Sequence, residues 1–167
     1  EKQSTRENVM TNSALHGAES LGYTLKEITE YRLKYNIIVE PDSAASVFPP
    51  YKSFSESKLP SKILSVTKSF SSPTPVQSQA LPIALAGLDL VAIARTGSGK
   101  TLAFGLPALN YITKQIANES KASVSNVVTP LVLVLSPTRE LAIQISDVLR
   151  EAATECKIGV SVVYGGT

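Results

Sequence analysis

The residues with the clearest chemical potential form one glycine-rich segment, A-R-T-G-S-G-K-T at 94–101. An apolar, strand-like run precedes it and a helix-forming sequence follows it. A strand that leads through a glycine loop into a helix N-terminus binds phosphate, because the loop amides and the helix dipole both favour an anion. Gly97 and Gly99 lack Cβ atoms, so the backbone there can adopt positive φ and turn its N–H groups inward. Lys100 would supply charge to the β- and γ-phosphates, and the Thr101 hydroxyl would ligate Mg²⁺.

This segment is therefore interpreted as a P-loop for a nucleoside triphosphate. It departs from the general pattern G-x-x-x-x-G-K-[ST] at one position, where Ala94 replaces the first glycine. The alternative is a strand-to-helix turn that contains glycines for structural reasons only. The spacing Gly-x-Gly-Lys-Thr at the junction of a strand and a helix favours the nucleotide site.

A second segment, S-P-T-P-V-Q at 72–77, predicts the start of a helix. Thr74 suits the N-cap, Pro75 the first helical position and Gln77 the reciprocal position of a capping box. The helix should run to about residue 86, lose one hydrogen bond at Pro82 and stop at Gly87. On local grounds alone, Gln77 has a capping role rather than a ligand role.

Composition limits the remaining possibilities. The chain has 167 residues, 43% of them hydrophobic, which is enough for one domain with a sizeable core. Its formal net charge of +2 is too small to indicate a nucleic-acid partner by itself. Cys156 is the only cysteine, so no intrachain disulfide can form, and the sole histidine, His16, lies in a polar stretch. Cys156 is therefore predicted to be a small buried thiol on a helix rather than a nucleophile.

The remaining elements must position the glycine loop. The aliphatic run Leu131–Leu135 predicts a strand buried on both faces of a parallel sheet. An amphipathic helix follows, with a stripe of apolar residues at 141, 145, 148, 149 and 152. Ile158–Tyr164 alternates as a further strand. The helix after the loop is predicted to break at Gly105 and Pro107 and to resume to about residue 117. Alternating helices and strands predict a parallel sheet with right-handed crossovers.

Residues 1–52 differ in composition from residues 53–167 and are predicted to be an N-terminal extension. Residues 1–22 are polar and predicted to be disordered. Thr24 and Glu27 form a capping-box pattern that predicts a helix at 25–35, and Pro49-Pro50 marks a linker into the domain. Apolar spacing from Leu59 to Phe70 predicts another helix that packs on the domain.

Several separate patterns together resemble the DEAD-box family of ATP-dependent RNA helicases, over residues 54–167. The resemblance rests on four blocks in order: P-T-P-V-Q at 73–77 with Phe54 upstream, like the family's Q motif; A-R-T-G-S-G-K-T at 94–101, like motif I, where the family itself carries alanine first; P-T-R-E-L-A at 137–142, like motif Ia; and Gly165-Gly166, like the GG turn. The implied fold is α/β, a parallel-sheet RecA-like P-loop NTPase domain that is incomplete at its C-terminal end, with a flexible N-terminal extension.

The resemblance also implies roles that local reasoning does not supply. Gln77 would read the adenine edge and Phe54 would stack on the ring, which implies ATP rather than GTP. The residues implied to bind ATP and Mg²⁺ are Phe54, Thr74, Gln77, Ala94, Arg95, Thr96, Gly97, Ser98, Gly99, Lys100 and Thr101, with Lys100 and Thr101 as the catalytic pair and Thr101 as the metal ligand. The residues implied to contact the RNA backbone are Pro137, Thr138, Arg139, Gly165 and Gly166. On local grounds Arg139 is equally a solvated residue in a first helical turn.

The 167 residues contain no Asp-Glu-Ala-Asp and no second RecA-like domain. The expectation is therefore an ATP-dependent RNA helicase in a longer parent, with protein cofactors as further partners, no membrane, and little ATPase or unwinding activity in this piece alone. The sequence at residues 104–108 and 133–137 is most similar to nucleolar members of the family that act in ribosome assembly. This resemblance implies that the protein is located in the nucleus or nucleolus, with the cytoplasm as an alternative. Two other hypotheses stay open at this point: a truncated non-catalytic module that binds ATP or a partner, and an unrelated P-loop NTPase.

Overall fold

The computed structural model describes residues 21–119 and 129–165. The chain forms two compact units: the first takes residues 1–57 and 72–98, and the second takes 58–71 and 99–167. The predicted disorder of residues 1–20, most of the predicted loop at 119–130, and the predicted RNA contact of Gly166 lie outside the described residues.

The described part of the first unit contains three α-helices and one 3-10 helix. Helix α1 spans Leu25–Tyr35, α2 spans Asp42–Val47 and α3 spans Pro75–Leu85, while the 3-10 helix spans Phe54–Ser57. The short helix α2 was not anticipated from sequence. The 3-10 helix packs against α3, so two candidate ligand-binding segments meet within this unit.

Helix α1 confirms the prediction made from its capping box. The Thr24 hydroxyl accepts from the Glu27 N–H at 3.2 Å, and the Glu27 carboxylate accepts from the Thr24 N–H at 2.8 Å. Ile28 is buried, but Leu25 is 70% exposed. The helix therefore buries a narrower face than its sequence suggests.

The Pro49-Pro50 segment is packed, not a solvated linker. Both prolines are buried, and the next residue pairs with α3. The Tyr51 N–H donates to the Ser78 carbonyl at 2.9 Å, and the Ser78 hydroxyl donates to the Tyr51 carbonyl at 2.6 Å. The chain directly after the prolines is thus hydrogen-bonded to α3. Hydrogen bonds thus cross the predicted boundary at residues 52 and 53, and the boundary itself stays a prediction.

Helix α3 begins and ends as predicted. Thr74 is its N-cap, Pro75 its first residue, and Pro82 lies inside it. Ala86 is the C-cap, and Gly87 follows with φ +76°. A positive φ strains most side chains, so glycine suits this stop.

The second unit is built on a pair of long helices. Helix α4 spans Lys100–Glu119 and α5 spans Arg139–Ala153, and the two pack on each other. A 3-10 helix at Thr154–Cys156 follows α5. None of the helices in the described ranges is long and apolar enough to cross a membrane.

The helix predicted over Leu59–Phe70 is wrong as an α-helix. A 3-10 helix spans only Leu64–Thr67. Side-chain hydroxyls explain the short span: Ser65 donates to the Lys62 carbonyl at 2.7 Å and Thr67 to the Leu64 carbonyl at 2.8 Å. These local bonds compete with an α-helical ladder. The predicted packing is nevertheless present, since Leu59 and Ile63 are buried.

The break predicted in α4 is also wrong, because the helix runs without interruption through Gly105 and Pro107. A Cβ placed on Gly105 would lie 2.6 Å from Leu149 Cδ2 on α5. Glycine at this position therefore permits close approach of the two helices rather than ending one. Tertiary packing outweighs the propensity cost of about 1 kcal/mol for glycine within a helix.

Within the described residues, three segments predicted as strands form no strand ladder: the apolar run before residue 94, Leu131–Leu135 and Ile158–Tyr164. Exposure nevertheless alternates along 131–135: Val132 and Val134 are 37% and 38% exposed, whereas Leu133 and Leu135 are 80% and 83% exposed. This period of two is typical of an extended chain covered on one side. The prediction of burial on both faces is wrong, because such burial requires packed elements on both sides of the segment. Ile158–Tyr164 shows a similar alternation at its first positions.

Candidate functional site

The boundary between the two units falls between Ser98 and Gly99, inside the glycine-rich segment. On the side of the first unit, the chain turns at 96–98. Gly97 has φ +72°, and the Ser98 N–H donates to the Arg95 carbonyl at 3.4 Å. Arg95, Thr96 and Gly97 are exposed. The turn therefore lies at the surface of the first unit and has a positive φ at position 97, which favours glycine.

On the side of the second unit, Gly99 has φ +83° and Lys100 is the first residue of α4. The Ala103 N–H donates to the Gly99 carbonyl at 3.3 Å, which closes the first helical turn. Lys100 adds a positive charge at the end of the helix that already carries the positive end of its dipole. The Lys100 ammonium group and the positive end of the helix dipole both attract an anion, so the start of α4 suits a phosphate group. The Thr101 oxygen, one residue on, is of the ligand type that Mg²⁺ prefers.

Gln77 takes the capping role that its local sequence predicts. Its Oε1 accepts from the Thr74 N–H at 3.0 Å, and its own N–H donates to the Thr74 hydroxyl at 3.5 Å. The residue is only 4% exposed. The cap orients the carboxamide, and because a carboxamide oxygen can accept two hydrogen bonds, capping does not exclude recognition of a base amine.

Phe54 opens the 3-10 helix that packs on α3. It is 8% exposed, and its carbonyl accepts from the Ser57 hydroxyl at 2.6 Å. The structure thus brings the elements that carry Phe54 and Gln77 together, within one unit, although they are distant in sequence. Both side chains are largely buried.

The second predicted cluster lies at the start of α5. Thr138 is the N-cap, and its hydroxyl accepts from the Leu141 N–H at 3.2 Å. Pro137, Thr138 and Arg139 are all exposed. Exposed residues at a helix N-terminus that include an arginine and a hydroxyl suit contact with a phosphate backbone.

Arg139 stacks on Tyr164, with its guanidinium carbon 4.3 Å from the ring centroid. Because Gly165 follows Tyr164 directly, the structure brings the 137–139 and 164–165 segments together in the second unit. Sequence reasoning missed Tyr164. The available signal was an aromatic residue next to a glycine pair, since arginine commonly stacks on aromatic faces.

Cys156 lies in the 3-10 helix after α5 and is half-buried, so the predicted buried helical thiol is partly right. Burial raises the pKa of the Cys156 thiol above its usual value. A raised pKa disfavours the thiolate, which is the nucleophilic form. Within residues 21–119 and 129–165, no group of three or more His, Cys, Asp or Glu side chains forms a metal cluster.

Comparison with known proteins gives a consistent result. The DEAD/DEAH box helicase family model matches residues 74–167. DEAD-box ATP-dependent RNA helicase 5 of Arabidopsis thaliana is 53% identical over 116 residues, which cover 70% of this chain and 21% of that protein. The ATP-dependent RNA helicase dbp3 of Neosartorya fischeri is 44% identical over 143 residues, which cover 84% of this chain and 27% of that protein.

A solved structure agrees with these sequences. The RNA-helicase Prp28 from Chaetomium thermophilum, bound to ADP, matches with a TM-score of 0.68 and 31% identity over 86% of this chain and 33% of that one. This likeness supports the predicted RecA-like fold class. The chain spans about a fifth to a quarter of the length of the two curated relatives. The family match covers more than half of this chain, and the chain therefore belongs to the DEAD/DEAH box helicase family.

Proposed function

We propose that this chain carries the ATP-binding segment and part of the RNA-binding surface of an ATP-dependent RNA helicase. The observation that carries the proposal is the positive φ of Gly99, in the second unit, immediately before a helix that begins at Lys100. That local arrangement binds phosphate through backbone N–H groups and a helix N-terminus. Family membership excludes the unrelated P-loop NTPase, and the names of the curated relatives support the helicase activity.

In this proposal the loop from Ala94 to Gly99 surrounds the phosphates, and Lys100 contacts the β- and γ-phosphates. Thr101 would hold Mg²⁺, which neutralises charge on the phosphates when bound. Gln77, oriented by Thr74, would pair with the adenine edge, and Phe54 would stack on the base. Support for an adenine nucleotide comes from the ADP in the structurally similar Prp28.

The phosphate-binding proposal is tested by titrating a fluorescent ATP analogue into the chain and its Lys100→Ala variant. We expect the affinity to fall at least about tenfold, since a charged hydrogen-bonding partner of phosphate is lost. Lys114→Ala is the matched control, because Lys114 lies on the same helix and is exposed. Equal affinity in the Lys100→Ala variant and the parent would refute the nucleotide site.

The RNA proposal concerns Pro137, Thr138, Arg139, Gly165 and Gly166. Contacts to the sugar–phosphate backbone imply little sequence preference and a strong dependence on salt. Fluorescence anisotropy with a single-stranded uridine oligomer at several salt concentrations tests this. Arg139→Met should weaken binding and reduce the slope of log affinity against log salt by about one phosphate contact. Arg150→Met is the control, and an unchanged slope in both variants would remove Arg139 from the RNA surface.

Coupled ATP hydrolysis and RNA unwinding are proposed only for a protein as long as the curated relatives, of which this chain covers 21% and 27%. Because the 167 residues contain no Asp-Glu-Ala-Asp sequence, we expect this chain alone to show little RNA-stimulated ATPase activity. Positioning and charge stabilisation supply most of the catalysis of phosphoryl transfer, and they need more groups than Lys100 and Thr101. Robust turnover in a steady-state ATPase assay would contradict this expectation.

We also propose a nuclear or nucleolar location and a role in ribosome assembly with protein cofactors. This proposal rests on the similarity of residues 104–108 and 133–137 to nucleolar family members. Imaging of a tagged full-length protein, together with cofractionation against pre-ribosomal particles, tests it. Exclusion from the nucleus would refute it.

A further inference from the structure

Arg32, in helix α1, donates three hydrogen bonds that join three parts of the first unit. Its Nε donates to Gln79 Oε1 at 2.9 Å, its Nη1 to the Ala45 carbonyl at 2.8 Å, and its Nη2 to the Phe48 carbonyl at 2.8 Å. The guanidinium is half-buried, and desolvation lowers its pKa from the usual value. A charged group is held in such a position only when hydrogen bonds compensate for lost water. Arg32 is therefore a junction and not a solvated helix residue.

Gln79 extends this junction into the helix that carries Gln77. It is 7% exposed, lies two residues after Gln77 on α3, and donates from Nε2 to the Phe48 carbonyl at 2.8 Å. The Phe48 carbonyl thus accepts from both Arg32 and Gln79. One residue of α3 and one of α1 hold the same point of the chain.

A short segment, residues 49–53, connects Phe48 to Phe54. The intervening segment is pinned to α3 by the two hydrogen bonds between Tyr51 and Ser78. Glu56 completes the arrangement, because its carboxylate accepts from the Lys52 N–H at 2.9 Å and from the Tyr23 hydroxyl at 2.8 Å. The position of Phe54 relative to α3 therefore depends on contacts made by residues before the Q-motif segment.

We propose that Arg32 is a positioning residue for adenine recognition, which fixes Phe54 and the Gln77 helix relative to each other through Phe48 and Gln79. This inference rests on the proposed ATP site. Arg32 acts through these two residues rather than by touching the base. Loss of the junction leaves the phosphate-binding residues in place but relaxes the two groups proposed to read the base. The effect should therefore be larger for ATP than for GTP, because either purine can stack on Phe54 whereas only adenine would pair with Gln77.

The experiment measures affinities for fluorescent ATP and GTP analogues on the 167-residue chain, well below each variant's Tm. Arg32→Met should weaken ATP binding about fivefold to tenfold, the scale of one or two lost hydrogen bonds, and weaken GTP binding less, so that the ATP-to-GTP affinity ratio falls. Arg32→Lys should fall between parent and Arg32→Met, because an ammonium group lacks the planar fork that reaches three acceptors. Lys26→Met is the control, since Lys26 lies on the same helix with its side chain 84% exposed.

Gln77→Ala separates the two proposals. If Gln77→Ala lowers the ATP-to-GTP affinity ratio while both Arg32 variants keep it, the inference about Arg32 fails and the ATP site stands. If the parent shows no preference for ATP, or Gln77→Ala leaves the preference unchanged, the proposed base recognition itself fails. A fall in Tm with an unchanged ratio assigns Arg32 to fold stability alone. If Arg32→Met does not fold, the Arg32→Lys ratio decides the question.

Discussion

The region of the first unit that is proposed to read the base and the region of the second unit that is proposed to face RNA are held in different ways. Phe54 and Gln77 are 8% and 4% exposed and lie beside a network of side-chain hydrogen bonds. Pro137, Thr138 and Arg139 are exposed, and Arg139 is oriented by one stacking contact with Tyr164. Discrimination between bases requires fixed donors and acceptors, whereas binding to any phosphate backbone requires accessible charge.

The interiors of the two units also differ, because the first contains a polar network and the second an apolar helix contact. Buried amides and a half-buried arginine organise the first unit. The second depends on close contact between α4 and α5, where Gly105 meets Leu149. A missing partner in a polar network leaves buried groups unsatisfied, while an enlarged side chain in an apolar contact forces displacement. The two regions should therefore respond to different kinds of substitution.

The largest effect is expected for Gln79→Ala in the first unit. The substitution removes one partner of the Arg32 guanidinium and one donor to the Phe48 carbonyl. We expect the free energy of unfolding to fall by about 2–3 kcal/mol, since both groups remain in a buried setting. Urea unfolding measures it, and Gln144→Ala, at an exposed position on α5, is the control. If Gln79→Ala lowers the free energy of unfolding no more than Gln144→Ala does, the polar network does not stabilise the first unit.

Gly105→Val tests the apolar contact of the second unit. The added carbons would overlap Leu149, so we expect destabilisation by about 1–3 kcal/mol. Ala117→Val, on an exposed position of the same helix, should cost only a few tenths of that amount. Leu149→Ala in the Gly105→Val background should recover part of the loss. A double variant no more stable than Gly105→Val would show that the contact is not the cause.

Tyr164→Leu tests whether stacking orients Arg139 at the RNA-facing region. A cation–π contact at a partly exposed site contributes about 0.5–1 kcal/mol. We therefore expect affinity for a uridine oligomer to fall about twofold to fivefold by anisotropy. The salt slope should stay unchanged because Arg139 keeps its charge, and Tyr164→Phe should behave like the parent. A reduced slope in Tyr164→Leu would instead indicate that Arg139 has left the surface.

The smallest effect is expected from the phenol that borders the polar network. Burial, with the hydrogen bond to Glu56 as second cause, raises the pKa of Tyr23 from 10.0 to about 12. A raised pKa means that the neutral phenol is favoured in the folded state, so its contribution is complete below pH 10 and is lost as the pH rises toward 12. Unfolding midpoints across this range should decline less in Tyr23→Phe. Parallel declines in the variant and the parent would exclude Tyr23 as the cause.

The helix starts could be predicted because their causes are local. Thr24 with Glu27, and Thr74 with Gln77, each form a complete capping box within four residues. The same holds for Gly97 and Gly99, whose positive φ values follow from the turn that their neighbours require. The family resemblance added the roles of Phe54 and the RNA-facing residues, which no local pattern supplies. Those site roles stay predictions until the binding experiments above are done.

Other features depended on contacts between distant residues. The local sequence at Gly105 and Pro107 predicts a break in the helix, but α4 is continuous through both residues and packs on α5. No local pattern singles out Arg32, and only the fold places Gln79, 47 residues away, within 2.9 Å of it. The burial of Leu131–Leu135 likewise depends on what covers each face, and its outward side chains are exposed. Sequence alone determined the helix caps and the turns, including the glycine turn of the segment proposed to bind nucleotide, because hydrogen bonds between near neighbours specify them. Tertiary structure alone decided the continuity of α4, the exposure of the 131–135 segment and the Arg32 junction, because these require partners that the chain brings together only on folding.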